Sequence, residues 1–383
     1  MKDVQIVFIH RRKFQERPPV ISVIEHLLSL GFHPTIITGG INDFYKEKLS
    51  KRGIHFYVVP FEIKGSFLKN VINGYIWGRK VRKLINRLAA KDELILWIEG
   101  NYTFDSLTPS FINKYPHILQ HQEIPDPSFF KERLRMRTLG KIMPTALANL
   151  APEYNRACMY RAFFQLKEPL YLLPNKPAFI PSKEDLISFK DKYSNIIQQI
   201  GGRKIILYQG ILSGERSLES FVRAASHLDN KEYVTILMGK ATKELENYKQ
   251  IDSNLIHVNY IPAPEYLLIT SLAYIGILAY APNHLDLIYC APNKIFEYSA
   301  FGVPMIGNDI PGLKYTIQDC GFGCICNMDS ESDILSKLQQ IIRNYDTMSK
   351  NAYQYYNSVD NKETVRQVLE NVKTILKCNI GDQ

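Results

Sequence analysis

Ala291-Pro292-Asn293-Lys294-Ile295-Phe296-Glu297-Tyr298-Ser299-Ala300-Phe301-Gly302-Val303-Pro304-Met305-Ile306 reads as one short helix running into a buried strand. Pro292 suits the first helical turn, where a missing N–H costs nothing. Gly302 suits the left-handed residue that ends a helix, and Val303, Met305 and Ile306 open an apolar strand. Within the helix, Lys294 and Glu297 stand three apart and share a face. A cation and a carboxylate displayed together beside the end of a strand can grip an anionic ligand and its hydroxyl groups. The plainer alternative is a surface ion pair on a core helix.

Ahead of this stretch the pattern gives strands at Lys204–Tyr208, Val234–Met238, Ile256–Val258 and Ile275–Tyr280, with helices at Leu218–His227 and Lys243–Lys249. Behind it come a strand at Gly321–Asn327 and helices between Ser332 and Lys377. The first half alternates in the same way, with strands at Val4–Ile9, His33–Thr38, His55–Pro60, Leu94–Glu99 and His117–Gln120. Its helices fall at Val20–Leu30, Asp43–Lys51 and Phe67–Leu88. Such repeats predict parallel, doubly wound sheets. The proline-rich run Tyr171–Pro181 reads as a linker between domains 1–180 and 181–383, the last helix packing back on the first domain. Two Rossmann-like α/β domains facing each other across a cleft hold a ligand at the carboxyl ends of their strands.

At 383 residues the chain exceeds one ordinary core. Its net charge of +9 is uneven: residues 1–190 carry 29 basic against 17 acidic side chains, and residues 191–383 carry 18 against 21. A basic first half implies an anionic partner there. Six cysteines without CxxC spacing read as reduced thiols of a cytoplasmic protein, with a zinc site at Cys320, Cys324 and Cys326 as the weaker reading. No leader pattern precedes Val4, and the longest uncharged run, Tyr266–Pro282, is short for a bilayer.

Four segments fall at strand ends in the second half. Tyr208-Gln209-Gly210-Ile211-Leu212-Ser213-Gly214-Glu215-Arg216 offers a glycine for close backbone approach and an arginine for phosphate. Met238-Gly239-Lys240 repeats strand then glycine, and Tyr260-Ile261-Pro262-Ala263 is apolar enough to receive a flat base. The Lys294/Glu297 helix is the fourth. Together they suit a nucleoside diphosphate: amides and cations for phosphate, a carboxylate for ribose.

This half resembles the donor domain of GT-B glycosyltransferases, most closely glycosyltransferase family 4. The resemblance rests on Pro292-Asn293-Lys294, Glu297-Tyr298, Ala300, Gly302, Pro304 and Asn308-Asp309-Ile310-Pro311-Gly312, with Tyr208-x-Gly210 and Arg216 as the phosphate loop. It implies that Glu297 holds the donor ribose, that Arg216 and Lys294 neutralise the diphosphate, and that Gly312 and Leu313 lie by the donor sugar or its phosphates. Two positions depart from the family: Tyr289 stands where a first glutamate is usual, and Ile211 replaces an arginine.

The first half is then expected to bind the acceptor. In Leu119-Gln120-His121-Gln122-Glu123-Ile124-Pro125-Asp126, His121 resembles in position a family histidine that contacts the donor sugar. Glu123 is the candidate general base should the enzyme invert; the alternative is a pair of loop residues bound to backbone. His10, Arg11, Arg12 and Lys13 follow the first strand and suit a diphosphate, an anionic acceptor or plain solvent. No DxD occurs, so the chemistry is expected to need no metal or other cofactor.

The segments Phe67–Leu88 and Phe129–Met143 combine helical apolar spacing (Leu68, Val71, Ile72, Tyr75, Ile76, Leu84, Ile85 and Leu88 in the first) with clustered Lys and Arg. They read as helices packed on the sheet, or as a docking face for an anionic membrane. No recognised motif accompanies the charge to favour nucleic acid. The expected function is transfer of a sugar from a nucleotide-diphosphate donor to a glycan or lipid-linked acceptor, retaining and metal-independent. The setting is surface polysaccharide synthesis at the inner face of the cell membrane. The rivals are a GT-B nucleotide-sugar epimerase and a nucleotide-sugar-binding protein without turnover.

Overall fold

Runs such as Ile6–Ile9 and Leu94–Ile98 are apolar at every position and buried throughout. That is the composition of parallel strands covered by helices on both faces. The computed structural model describes residues 4–63, 67–212 and 217–381. The chain divides into two compact units, Met1–Ala178 with Asp360–Gln383, and Phe179–Val359.

The first unit holds β1 (Val4–Lys13), β2 (Thr35–Gly40), β3 (His55–Val58), β4 (Glu93–Glu99), β5 (His117–Gln120), β6 (Ala148–Ala151) and β7 (Tyr171–Leu172), in the order β3-β2-β1-β4-β5-β6-β7. The second holds β8 (Lys204–Gln209), β9 (Tyr233–Met238), β10 (Ile256–Val258), β11 (Ala273–Leu278), β12 (Met305–Asn308) and β13 (Gly323–Cys326), in the order β10-β9-β8-β11-β12-β13. Every pairing in both sheets is parallel. Each unit therefore has one switch point, between β1 and β4 and between β8 and β11, where doubly wound sheets open a crevice at their carboxyl ends.

β6 and β7, of four and two residues, were not read as strands in the sequence. β7 occupies the start of the segment read as linker. The final helix, Asn361–Gly381, belongs to the first unit: Val365, Val368, Leu369 and Val372 share a core with Val20, Val23, Ile24 and Leu27.

The opening stretch folds as the helix Asn293–Ser299 and the strand β12. Pro292 caps the helix in extended conformation, one position before the first turn. Gly302 takes φ +67°, with Gly302 N–H donating to the Ser299 carbonyl and Val303 N–H to that of Tyr298. This pair of bonds closes the last turn and turns the chain into β12.

The helix Phe67–Ala89 divides the apolar residues of its stripe between two faces. Val71, Ile72, Tyr75 and Ile76 are exposed by 47–60%, whereas Gly74, Trp77, Gly78, Val81 and Ile85 face inward; the side chain of Leu68 lies outside the described residues. The glycines decide the face. A methyl at Gly78 would collide with the Ser106 carbonyl, and one at Gly74 would stand 2.6 Å from Arg11 Nη1. Trp77 Nε1–H donates to the Val59 carbonyl at 2.9 Å, fixing the rotation. In the helix Phe130–Ile142, Phe129, Phe130 and Leu134 are likewise exposed, among exposed Lys131, Arg133 and Arg137.

Cys324 and Cys326 are buried in β13 while Cys320 is exposed, and among the described residues no group of three or more His, Cys, Asp or Glu could hold a metal. Gly78→Ala is expected to destabilise the chain by about 1–3 kcal/mol through overpacking against Ser106. A melting temperature equal to that of the parent chain would refute the inward assignment of this face.

Candidate functional site

Gly210 and Gly239 follow the ends of β8 and β9 with φ +146° and +159°. Each is glycine because of a neighbour. A Cβ at Gly239 would collide with the Gly210 carbonyl, and one at Gly210 would lie 2.7 Å from Lys294 Nζ. The missing side chain of Gly210 thus lets the Lys294 ammonium reach the strand end. There it stands 5.4 Å from the Tyr208 ring centroid and 5.9 Å from that of Tyr280.

One turn further along the helix, Glu297 is 8% exposed. Its Oε2 accepts from Gln209 Nε2 at 2.6 Å and its Oε1 from the Tyr266 hydroxyl at 2.7 Å. Gln209 is itself held, its Oε1 accepting from Thr270 Oγ1 at 2.7 Å. Burial raises the Glu297 carboxyl above the usual range, against the opposing pull of the Tyr266 bond, the Lys294 charge and the Gln209 bond. Tyr266 is raised too, chiefly by burial and then by Glu297. Each carboxylate oxygen keeps a second lone-pair direction for a hydroxyl guest.

Other expected positions lie close by in a different role. Ile261 and Leu313 belong to the core, so their side chains are spent on packing; the exposed ring of that loop is Tyr260, at 74%. Gly312 is required because a side chain there would collide with the backbone of Tyr289 and Cys290. Arg216 lies outside the described residues.

In the first unit, His121 follows β5 and is fully buried. Its ring packs against Phe104 and Tyr160, with centroids 5.3 and 4.6 Å away, and Nε2 faces Asn149 Oδ1 at 3.2 Å. Burial pushes it down to about 4, so it stands neutral at pH 7. Glu123 is half-buried, with Arg17 Nη2 donating to its Oε1 at 3.4 Å. Its carbonyl accepts from Asn101 Nδ2 and the Tyr160 hydroxyl.

The sequence reading passed over a tighter pair. His10, on β1, stands in register with Glu99, the last residue of β4, and His10 Nδ1 lies 2.6 Å from Glu99 Oε2. Both are 1% exposed. Desolvation alone would raise the Glu99 carboxyl; the charge and hydrogen bond of His10, then Arg17 and Arg12, outweigh it and hold it low. Ionised Glu99 can only accept, so His10 Nδ1 carries the proton and donates. Finding this pair from sequence required knowing that β1 neighbours β4.

No family model matches the chain, and no curated protein matches it in sequence. Solved structures do match. HepE of Anabaena, crystallised with UDP and glucose, superposes with a TM-score of 0.71 over 97% of this chain and 100% of its own, at 12% identity. The chain has the GT-B fold. A glycosyltransferase from Rickettsia africae gives 0.67 at 16% identity, over 97% of this chain and 99% of that one. Sucrose-phosphate synthase of Thermosynechococcus elongatus gives 0.67 at 13%, over 99% and 100%. Within this GT-B chain both polar clusters, Lys294 with Glu297 and His10 with Glu99, sit where the strand order reverses.

A carboxyl with a raised value in the fold adds stability below its ordinary 4.5 and loses it as pH rises through the raised value. Glu297→Gln is therefore expected to be more stable than the parent at pH 8, on the order of 1 kcal/mol, with the gain vanishing towards pH 4. Gln209 can turn over to present its oxygen to the new amide, Thr270 then donating to the Tyr266 carbonyl. Urea melts at both pH values check this; equal losses at both would make the carboxylate a net stabiliser.

Proposed function

We propose that this chain is a glycosyltransferase that takes a sugar from a uridine-diphosphate donor and passes it to a glycan or lipid-linked acceptor. The observation that carries the reading is a buried carboxylate, Glu297, on the same helix as an ammonium, Lys294, that the missing side chain of Gly210 admits to the switch point of the second unit. Glu297 is the ribose ligand, Tyr260 offers a ring to the base, and Lys294, Arg216 and backbone amides balance the leaving diphosphate. Without a DxD the leaving group relies on these cations rather than on a metal. The UDP bound by the similarly folded HepE supports uridine as the base.

The acceptor side draws on the basic first unit. Exposed Val71, Ile72, Tyr75 and Ile76 with Arg79, Lys80 and Lys83, and exposed Phe130 and Leu134 with Arg133 and Arg137, suit peripheral contact with an anionic membrane. Among the described residues no helix is long and apolar enough to cross one. Surface polysaccharide synthesis at the inner membrane face fits such an acceptor.

UDP at about 100 times its dissociation constant should stabilise the chain by about 2.7 kcal/mol. GDP and ADP should do less, and Glu297→Ala should abolish the shift; a parent chain indifferent to all three diphosphates would overturn the reading. For the membrane, the chain should pellet with phosphatidylglycerol vesicles at low salt and not with phosphatidylcholine. Ile72→Asp with Phe130→Asp should release it, and equal pelleting by both vesicles would refute the contact.

A further inference from the structure

Two arginines of the first unit pack on one tyrosine, and only one of them is neutralised. Tyr102 lies half-buried on the short helix Asn101–Leu107, with Arg135 Cζ 4.6 Å and Arg11 Cζ 5.2 Å from its ring centroid. Both guanidinium side chains are buried, at 6% and 8% exposed. Arg135 meets two carboxylates: its Nε donates to Asp105 Oδ2 at 3.0 Å and its Nη1 to Glu132 Oε2 at 2.7 Å. Arg11 has no such bond. Its Nη1 donates to the Ser106 hydroxyl at 2.8 Å, the Phe61 ring packs 4.4 Å from its Cζ, and its Nε is buried without a partner among the described residues. Asp105 acts on Arg11 through space alone, its hydrogen bond being given to Arg135. Burial, and then the charge of Arg12, bring the Arg11 guanidinium down to about 10.

Like charges gather here where repulsion alone would disperse them. Arg12 Cζ stands 5.3 Å and Lys131 Nζ 5.8 Å from the same Tyr102 centroid, and Arg12 Nε is a second buried atom without a partner among the described residues. A tyrosine face attracts cations, but it does not cancel their mutual repulsion. A buried charge left without a hydrogen-bonded counter-charge destabilises a fold, so such a group is well suited to receive one from outside. Room is kept for this arrangement: a Cβ at Gly39 would collide with the Arg11 carbonyl, as one at Gly74 would crowd Arg11 Nη1. Burial falls from Arg11 through half-buried Arg12 to exposed Lys131, which marks the way in from solvent.

We propose that Arg11, Arg12 and Lys131, gathered on Tyr102, form a binding site for a phosphate or diphosphate group within the first unit. Two neighbouring guanidinium groups without bonded carboxylates call for about two negative charges and several acceptor oxygens, which a phosphate supplies and a single carboxylate does not. The site stands on the first unit alone and is independent of the donor reading. It is bordered by the helix Phe67–Ala89, whose Gly74 abuts Arg11, and by the helix Phe130–Ile142, which carries Lys131. Both helices expose apolar side chains, so a lipid headgroup and a soluble phosphate ester are the two sources of such a group.

The test titrates the full chain with sodium pyrophosphate in a calorimeter at fixed ionic strength. Arg12→Gln should weaken binding by about 10-fold or more, the scale of one lost hydrogen bond to a charged group, and Lys131→Gln should weaken it less. Lys294→Gln, in the second unit, should leave that affinity unchanged. Arg11→Met should lose binding and, without pyrophosphate, melt no lower than the parent; a melting temperature well below the parent's would make Arg11 a packing residue and overturn its place in the site. No pyrophosphate bound by the parent, affinity unaltered in Arg12→Gln, or binding lost in Lys294→Gln alone would overturn the proposal. Phosphatidylcholine vesicles doped to equal charge with phosphatidic acid or phosphatidylglycerol separate the two sources. Stronger pelleting with phosphatidic acid, lost in Arg12→Gln, assigns the site to a lipid headgroup, and equal pelleting beside intact pyrophosphate binding assigns it to a soluble phosphate.

Discussion

Parallel pairing at the two switch points governs what this chain can do. Right-handed connections leave the adjacent strands β1 and β4 towards opposite faces of the sheet, as they do β8 and β11, so no connecting segment crosses directly over those strand ends. Polar side chains planted there are buried by the walls of the sheet yet not consumed by its ladder. Glu297 with Lys294, and His10 with Glu99, are the two results. Elsewhere the same strands are filled by Ile, Leu and Val packed on both faces.

Such placement sets function against stability. Glu297 takes its bonds from two neutral donors, Gln209 and Tyr266, and Lys294 adds a positive charge nearby. An apolar or amide residue would sit there at lower cost, so the carboxylate is best understood through what it binds. The first unit shows the same tension in its unmatched atoms. Its basic helix Phe67–Ala89 adds another, turning glycines inward and apolar side chains outward.

The sequence made the architecture legible wherever elements were long. Continuous apolar runs marked most of the strands, and Gly31 and Gly302, with φ +82° and +67°, marked helix ends that the periodicity alone would blur. The Lys294 and Glu297 pair was legible because both are local to one helix. His10 and Glu99, 89 residues apart, were not, since only strand order brings them together. The face of Phe67–Ala89 stayed open between packing and docking because apolar spacing and close packing disagree there: hydrophobicity alone would turn Tyr75 inward, whereas contact with Ser106 demands Gly78. Ile261 and Leu313 were expected beside the ligand, but their side chains are taken up by the core.

The last helix carries a consequence for how the molecule is made. Because Asn361–Gly381 supplies Val365, Val368 and Val372 to the core formed with Val20, Val23 and Leu27, the first unit is split in the chain around the whole of the second. During synthesis every residue of Phe179–Val359 emerges before the piece that completes Met1–Ala178. The unit that begins the chain is therefore the last to close, and until it does an apolar face of the helix Pro18–Ser29 stays open to water and to chaperones.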